Sequence, residues 1–169
     1  MRAYDPRYKV NPPLRAASDV EALRLALADG TIDAVATDHA PHAAEDKDCE
    51  WQAAAMGMTG LETALSAVQE ALVDTGLLDW AGVADRMSVR PARIGRLDGH
   101  GRPLAVGEPA NVTLVDPSAR WQVDPAALQT ASRNTPFRAR EMHGRVVATF
   151  LRGRPTVLDG APVDPGARP

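Results

Sequence analysis

The stretch Ile32-Asp-Ala-Val-Ala-Thr-Asp-His-Ala-Pro-His42 decides the fold class of this chain. Its first six residues are short and mostly apolar, which is typical of a buried parallel strand. The preceding segment predicts a helix, because Ser18 and Glu21 form a capping box and Gly30 supplies a C-cap. A helix, a tight turn and a buried strand in succession predict an α/β unit.

Downstream of this stretch, a polar loop over residues 43–56 leads into a second predicted helix at about 60–74. Thr59 and Glu62 match a second capping box, and the period of 3.6 residues predicts an apolar face. That face consists of Leu61, Leu65, Val68 and Leu72. A shorter helix is predicted to begin after Asp79.

The character of the chain changes near Gly95, where turn signals replace helical periodicity. Residues 110–115 alternate as a strand does, and Asp116-Pro117 is predicted to end that strand. Residues 146–151 and 156–158 predict a hairpin. We therefore expect an α/β part over 1–95, a β-rich part over 96–160, and a frayed tail over 161–169.

Composition limits the class of protein. The chain has 169 residues, 44% of them apolar, a net charge of −3 and one cysteine. This is enough apolar material for a core, and the charge balance argues against a nucleic-acid binder. No run of 18 apolar residues or signal-peptide pattern occurs, and a lone cysteine excludes an internal disulfide framework. These features predict a cytoplasmic protein.

The polar end of the opening stretch carries the strongest chemical signal. Asp38, His39 and His42 follow a predicted strand directly, and catalytic groups of parallel α/β proteins lie at such strand ends. An aspartate there can bind a metal and move the proton of a metal-bound water. The same residues also suit a turn capped by aspartate, with both histidines in solvent, and the pattern leaves both interpretations open.

Two further positions are candidates for ligand contact. Asn11 precedes Pro12 and Pro13 in a stiff, extended segment, and Gly57 permits close approach of the backbone to a ligand. From the residues alone, a pre-proline linker is favoured for Asn11 and a helix-entry glycine for Gly57. The loop over 43–56 is a candidate lid, because it is polar and follows the candidate site.

Four motifs together resemble the bacterial-type dihydroorotases of the amidohydrolase superfamily. They are Lys9-Val-Asn-Pro-Pro-Leu-Arg15, Thr37-Asp-His-Ala-Pro-His42, Gly57-Met-Thr-Gly-Leu-Glu-Thr63 and Asn134-Thr-Pro-Phe137. Gly107 to Asp116 also looks like a returning strand common to amidohydrolases. The resemblance covers roughly residues 4–160. It implies reversible, zinc-dependent hydrolysis of dihydroorotate to N-carbamoyl-L-aspartate in pyrimidine biosynthesis, on a (β/α)8 barrel with a small β-sandwich and one or two zinc ions.

The resemblance also implies roles for particular residues. Asp38 is expected to be a zinc ligand and the general acid/base, while His39 has an orienting role beside it. His42 and Asn11 are expected to bind the substrate carboxylate. Met56 and Gly57 are expected to contact the pyrimidine ring, mainly through their backbone.

One departure from the family pattern limits these expectations. The family's metal site also needs a His-x-His pair, a bridging lysine or aspartate and two more histidines, whereas this chain has four histidines and no His-x-His. We therefore expect the C-terminal part of such a barrel followed by a β-sandwich portion, inactive in isolation. Its expected partners are the small-molecule substrate and a second copy of the chain. The alternatives are a non-catalytic partner of aspartate carbamoyltransferase and a hydantoinase or dihydropyrimidinase.

Overall fold

The structure, a computed structural model, describes residues 4–164. A 310 turn at Pro6–Tyr8 precedes the helices α1 Ala17–Asp29, α2 Ala44–Lys47, α3 Ala64–Val68, α4 Trp80–Ala84 and α5 Arg90–Ile94. The π-helical segments Gln69–Val73 and Asp85–Val89 continue α3 and α4. The strands are β1 Val112–Gln122, β2 Glu141–Leu151, β3 Arg154–Leu158 and β4 Ala161–Pro162. Within 4–164, every helix falls short of the length and apolar character that a membrane crossing requires.

Helix α1 confirms the predicted helix but not its predicted start. The helix begins at Ala17, and the carboxylate of Asp19 accepts a hydrogen bond from the Ala16 amide at 3.3 Å. The predicted cap at Ser18 is therefore wrong, because Asp19 serves an amide one turn earlier. Gly30 ends the helix with φ of 91°, the left-handed conformation that a C-cap glycine adopts.

The second predicted helix begins later than expected, at Ala64. The Glu62 carboxylate accepts from the amides of Gln129 and Thr130, at 2.9 and 3.1 Å, so the predicted capping box with Thr59 is wrong. Leu61 lies before the helix and is exposed, which removes it from the predicted apolar face. The helix after Asp79 is confirmed, with the Asp79 carboxylate accepting from the Gly82 amide at 2.7 Å.

The prediction of a buried strand at 32–37 is wrong, because the segment is neither paired as a strand nor buried. The segment is extended, but it forms no ladder with another described strand, and its residues are half-buried or exposed. The Val35 amide donates to the Arg86 carbonyl at 3.2 Å, and a single parallel bridge joins His39 to Met58. A parallel strand becomes buried only when neighbouring strands and helices cover both its faces, and residues 4–164 supply just this bridge.

The hydrophobic core lies between α1 and the two long helical segments that begin with α3 and α4. Its buried members are Leu27, Val68, Leu72 and Val83. Arg86 is also buried there, and its Nε donates to the Leu27 carbonyl at 2.8 Å. A second bond, from Arg86 Nη2 to the Ala28 carbonyl at 3.4 Å, makes this guanidinium a cap for the last turn of α1.

The four strands form one antiparallel sheet in the order β1-β2-β3-β4. The predicted hairpin is confirmed as β2 and β3. The predicted end of β1 at Asp116-Pro117 is wrong, because a bulge between Asp116 and Arg120 absorbs the proline and the strand continues to Gln122. The carboxylate of Asp116 accepts from Ser118 Oγ and the amides of Ser118 and Ala119, which lowers the pKa of Asp116.

The predicted tail also needs correction, whereas the β-sandwich stays a prediction. Ala161–Pro162 pairs with β3 as strand β4, so the tail is not frayed there; residues 165–169 lie outside the described residues. Residues 4–164 build one sheet rather than the two of a sandwich. The sheet packs on α3 through Ser66, whose Oγ donates to the Gly144 carbonyl at 2.7 Å and accepts from Trp121 Nε1 at 3.1 Å. This contact brings the β1–β2 connection, residues 123–140, towards the candidate site.

Candidate functional site

Asp38 follows the extended segment at 32–37 and is an accessible member of the candidate site. Its φ is 42°, a left-handed conformation that aspartate tolerates better than most other residues. The residue is exposed, and within residues 4–164 its carboxylate forms no hydrogen bond or ion pair. An unpartnered, accessible carboxylate in this position is free to bind a cation or accept a proton.

His39 is bonded to the start of the second helical region. Its Nδ1 accepts from the amides of Gly60 and Leu61, at 3.1 and 3.3 Å. Because Nδ1 is the acceptor, the proton of the neutral ring is on Nε2. Gly60 packs so closely on the end of the extended segment that a Cβ there would lie 2.9 Å from the Thr37 carbonyl oxygen. His39 therefore joins the Asp38 turn to the residues that precede α3.

His42 and Gly57 are in direct contact. His42 Nε2 lies 3.1 Å from the Met56 carbonyl, and Nε2 is the donor because a carbonyl can only accept. Gly57 has φ of 151°, and a Cβ there would lie 2.6 Å from His42 Nε2 and 2.7 Å from the Ala40 Cβ. Only glycine has both the conformation and the size for this position.

Two side chains from the β1–β2 connection hold these loops together, and the sequence assigned them no role. Asn134 is 5% exposed, and its Nδ2 donates to the carbonyls of Ala40 and Gly57, at 3.0 and 3.2 Å. Its Oδ1 accepts from the His42 amide at 3.3 Å. Ser132 Oγ donates to the His42 carbonyl at 2.6 Å. The Asn134-Thr-Pro-Phe137 motif was the available signal, but nothing local in it indicates these partners.

Lys47 is a third side chain that the sequence did not single out. It lies in the run Glu45-Asp46-Lys47-Asp48, which reads as a solvated loop, yet it is 4% exposed. Its Nζ donates to three carbonyls, those of Ala55, Gly57 and Lys9, at 2.9, 3.0 and 3.3 Å. Burial, and then the nearby Lys9, lower the pKa of Lys47.

The segment before Asn11 lies alongside Gly57. The Gly57 amide donates to the Lys9 carbonyl at 2.9 Å, and Lys9 Nζ donates to the Trp51 carbonyl at 2.8 Å. Asn11 follows two residues later and is exposed, and its side chain forms no hydrogen bond within the described part of the chain. The loop over 43–56, predicted as a candidate lid, is thus bonded to this segment in the present structure.

The predicted site residues are therefore only partly joined by contacts. His42, Met56 and Gly57 touch one another, and Asn11 is two residues from Lys9, the partner of the Gly57 amide. Within residues 4–164, no hydrogen bond joins Asp38 to them. The amide and carbonyl of Gly57 and the carbonyl of Met56 are bonded within the protein, which leaves the Met56 amide as the free backbone group of this pair within the described residues.

The described part of the chain lacks a complete set of ligands for a metal ion. Across residues 4–164, no group of three or more histidine, cysteine, aspartate or glutamate side chains is placed to hold a metal ion. Catalytic zinc takes about three protein ligands. The described residues by themselves therefore do not fit a zinc site, and Asp38 is a single candidate ligand.

Known proteins similar to this chain in sequence share one name, dihydroorotase. The dihydroorotase of Streptomyces coelicolor is 70% identical over 160 residues, which are 95% of this chain and 37% of that protein. The dihydroorotase of Mycobacterium tuberculosis is 56% identical over 95% of this chain and 37% of its own length. The chain thus spans little more than a third of the curated relatives it matches. These relatives confirm the resemblance to dihydroorotases that the motifs indicated.

Solved structures of hydantoinases share the fold. L-Hydantoinase (dihydropyrimidinase) from Arthrobacter aurescens superposes with a TM-score of 0.84 at 28% identity, over 94% of this chain and 39% of that one. D-Hydantoinase (dihydropyrimidinase) from Thermus sp. gives 0.82 at 29% identity, over 94% and 35%. These neighbours support the α/β fold class of a metal-dependent hydrolase. The model of the amidohydrolase family matches residues 10–156, and with most of its length matched, this chain belongs to the amidohydrolase family.

Proposed function

We propose that this chain is part of a dihydroorotase, an enzyme that reversibly hydrolyses the cyclic amide of (S)-dihydroorotate to N-carbamoyl-L-aspartate in pyrimidine biosynthesis. The carrying observation is the joined Ala40–His42 and Met56–Gly57 loops, formed by the motifs on which the resemblance to dihydroorotases rests, in a chain whose relatives are named dihydroorotase. Those relatives are 56–70% identical over nearly the whole chain, whereas the hydantoinases are below 30%.

Recognition of the substrate carboxylate is assigned to His42 and Asn11. Both dihydroorotate and N-carbamoyl-L-aspartate carry carboxylates, which accept hydrogen bonds from N–H donors. The His42 Nε2 proton is donated to the Met56 carbonyl in this structure, so His42 binds the carboxylate by exchanging that bond for one to the ligand, whereas the exposed Asn11 amide offers two free N–H groups. The pyrimidine ring then lies against the Met56–Gly57 backbone, with the Met56 amide supplying the free polar group.

Proton transfer is assigned to Asp38. Its accessible carboxylate accepts the proton of the attacking water and delivers it to the ring nitrogen that leaves as the amide opens. Ring closure uses the same carboxylate in reverse. Zinc is the metal we propose for this enzyme, with Asp38 as one ligand. The other ligands belong to polypeptide outside the described residues, and we therefore propose that this chain is inactive by itself.

The same proposal assigns the helical part and the sheet of this chain to the two domains expected of a dihydroorotase. Residues 1–95 are assigned to the last part of a (β/α)8 barrel, in which the extended segment before Asp38 would become a strand only by pairing with polypeptide outside the described residues, and the four-stranded sheet is assigned to a β-sandwich over 96–160. The helices end at Ile94 and the sheet begins at Val112, which supports a boundary in this region. Within residues 4–164, an extended segment without a ladder and a sheet without a facing sheet are both consistent with further polypeptide packing there.

A second candidate, a hydantoinase or dihydropyrimidinase, is favoured by the structural neighbours alone. It differs in substrate chemistry, since dihydrouracil and hydantoin lack the carboxylate that we assign to His42 and Asn11. The third candidate is a non-catalytic partner of aspartate carbamoyltransferase.

A chimera tests the three candidates. The segment of the Streptomyces coelicolor dihydroorotase that matches this chain is replaced by this chain's residues, and ring opening is measured with dihydroorotate and dihydrouracil. We expect hydrolysis of dihydroorotate only, and loss of at least about 10³-fold in kcat with Asp38→Asn, as for removal of a general base. His42→Asn is expected to raise KM for dihydroorotate more than it lowers kcat.

The matched control is His143→Asn, a histidine of the sheet that pairs with Asp74 at 2.6 Å and plays no part in the proposed site. It should leave both constants within about twofold. Preferential turnover of dihydrouracil would establish the second candidate. A folded chimera that turns over neither substrate would refute the proposed enzyme, and binding of aspartate carbamoyltransferase by that chimera would establish the third.

A further inference from the structure

The Gly57 carbonyl is the point where two buried side chains from distant parts of the chain meet. It accepts from Lys47 Nζ at 3.0 Å and from Asn134 Nδ2 at 3.2 Å. Lys47 is 4% exposed and Asn134 is 5% exposed. Two buried donors therefore fill both lone pairs of one carbonyl, which fixes the position of its peptide plane.

Lys47 reaches three segments at once. Its ammonium has three protons, and three carbonyls accept them, those of Lys9, Ala55 and Gly57. A methionine would fill the same space without the cost of burying a cation, so packing alone does not explain a lysine here. The ammonium, unlike a methionine, fixes the position of Gly57 relative to the segment that leads to Asn11, because its hydrogen bonds join the two.

Asn134 provides the other half of this geometry. Besides Gly57, its Nδ2 donates to the Ala40 carbonyl at 3.0 Å, and its Oδ1 accepts from the His42 amide at 3.3 Å. The amide side chain therefore fixes the Ala40–His42 loop against Gly57. Lys47 and Asn134 together set the distance between the Asn11 segment on one side and His42 on the other.

We propose that Lys47 and Asn134 are positioning residues that jointly hold the Gly57 peptide, and through it place Asn11 and His42 for binding the substrate carboxylate. This inference rests on the proposed function for the identity of the ligand. Neither side chain touches the substrate; each acts by fixing backbone that carries a binding group.

Amide hydrogen exchange in the 169-residue chain, followed by NMR, tests the positioning itself. Lys47→Met and Asn134→Ala should each raise exchange at the Gly57 and His42 amides about tenfold or more, the loss expected for one charge-assisted or buried bond. The matched control is Arg86→Met, which removes another buried cation bonded to backbone carbonyls, those of Leu27 and Ala28. In Arg86→Met, exchange at the Gly57 and His42 amides should rise only by the amount that this variant's loss in the free energy of global unfolding accounts for.

The second arm titrates N-carbamoyl-L-aspartate and follows the His42 ring and the Asn11 side-chain amide. We expect Lys47→Met to weaken binding at least about tenfold and Arg86→Met to leave it within about twofold. Absence of binding to the unmodified chain would count against the proposed carboxylate site, while the exchange arm would still decide the positioning role. Equal exchange at Gly57 and His42 in Lys47→Met and Arg86→Met would overturn the inference.

If Lys47→Met does not fold, Lys47→Arg takes its place. The planar guanidinium keeps the charge but cannot direct three bonds onto the same three carbonyls. It should therefore give the same local rise in exchange, and full protection at Gly57 would contradict the proposal.

Discussion

Substitution of Gly57 by alanine is the most direct test of how the candidate site is built. A Cβ at this position would lie 2.7 Å from the Ala40 Cβ and 2.6 Å from His42 Nε2. The His42 ring can rotate away only by losing its bond to the Met56 carbonyl, and the Ala40 methyl cannot rotate away at all. Gly57→Ala therefore forces the Ala40–His42 loop to move.

The magnitude has two parts. A non-glycine residue at φ of 151° costs about 1–3 kcal/mol of backbone strain. Overpacking against fixed atoms costs about another 1–3 kcal/mol. We expect a total loss of about 2–6 kcal/mol in the free energy of unfolding, which is a large share of the about 5–15 kcal/mol typical of a folded protein.

The control is Gly76→Ala, which separates the two parts. Gly76 also has a positive φ, of 74°, but a Cβ there would meet nothing within 4 Å, so this variant carries strain without the clash. Urea unfolding should show a loss about 1–3 kcal/mol smaller than that of Gly57→Ala. The His42 ring signals in NMR should shift in Gly57→Ala alone. Equal losses in the two variants, with an unchanged His42 ring, would refute the reasoning.

Two further predictions concern buried cations. Arg86→Met removes the cap on the last turn of α1 and should lower the free energy of unfolding, measured in urea, by about 2–4 kcal/mol. The control Arg15→Met breaks only the exposed pair with Asp19 and should lower it by less than about 1 kcal/mol. Similar losses in the two variants would show that Arg86 does not act as a cap. Burial places the pKa of Lys47 in the folded state below its ordinary 10.5. Between that lowered pKa and 10.5 the unfolded state binds more protons than the folded state, so the stability attributable to Lys47 should rise as the pH increases across this range. Unfolding measured against pH for the unmodified chain and Lys47→Met should show this difference, and a difference that falls with pH would contradict it.

Local patterns in the sequence predicted much of the fold. The C-cap at Gly30, the N-cap at Asp79 and the β2–β3 hairpin are confirmed, because each depends on residues within a few positions of one another. Patterns failed where a distant partner competes for the same group. Glu62 suits a cap for Thr59, but the amides of Gln129 and Thr130 take its carboxylate instead.

The candidate site shows the same division. Its motif residues could be identified from the sequence, and His42, Met56 and Gly57 do lie together. Lys47 could not, since a lysine between acidic residues normally lies in solvent, and its burial depends on carbonyls of Lys9 and of residues on the other side of its loop.

The sequence by itself therefore determined the family and part of the order of helices and strands, and it supplied the candidate residues of the site. Only the tertiary structure decided how those residues are held. Asn134 bonds to the Ala40 carbonyl across 94 positions of chain, and Lys47 joins three separate segments. Periodicity, capping and turn chemistry report contacts within a few residues, whereas burial and hydrogen bonding of a polar side chain depend on which distant backbone groups the fold brings to it.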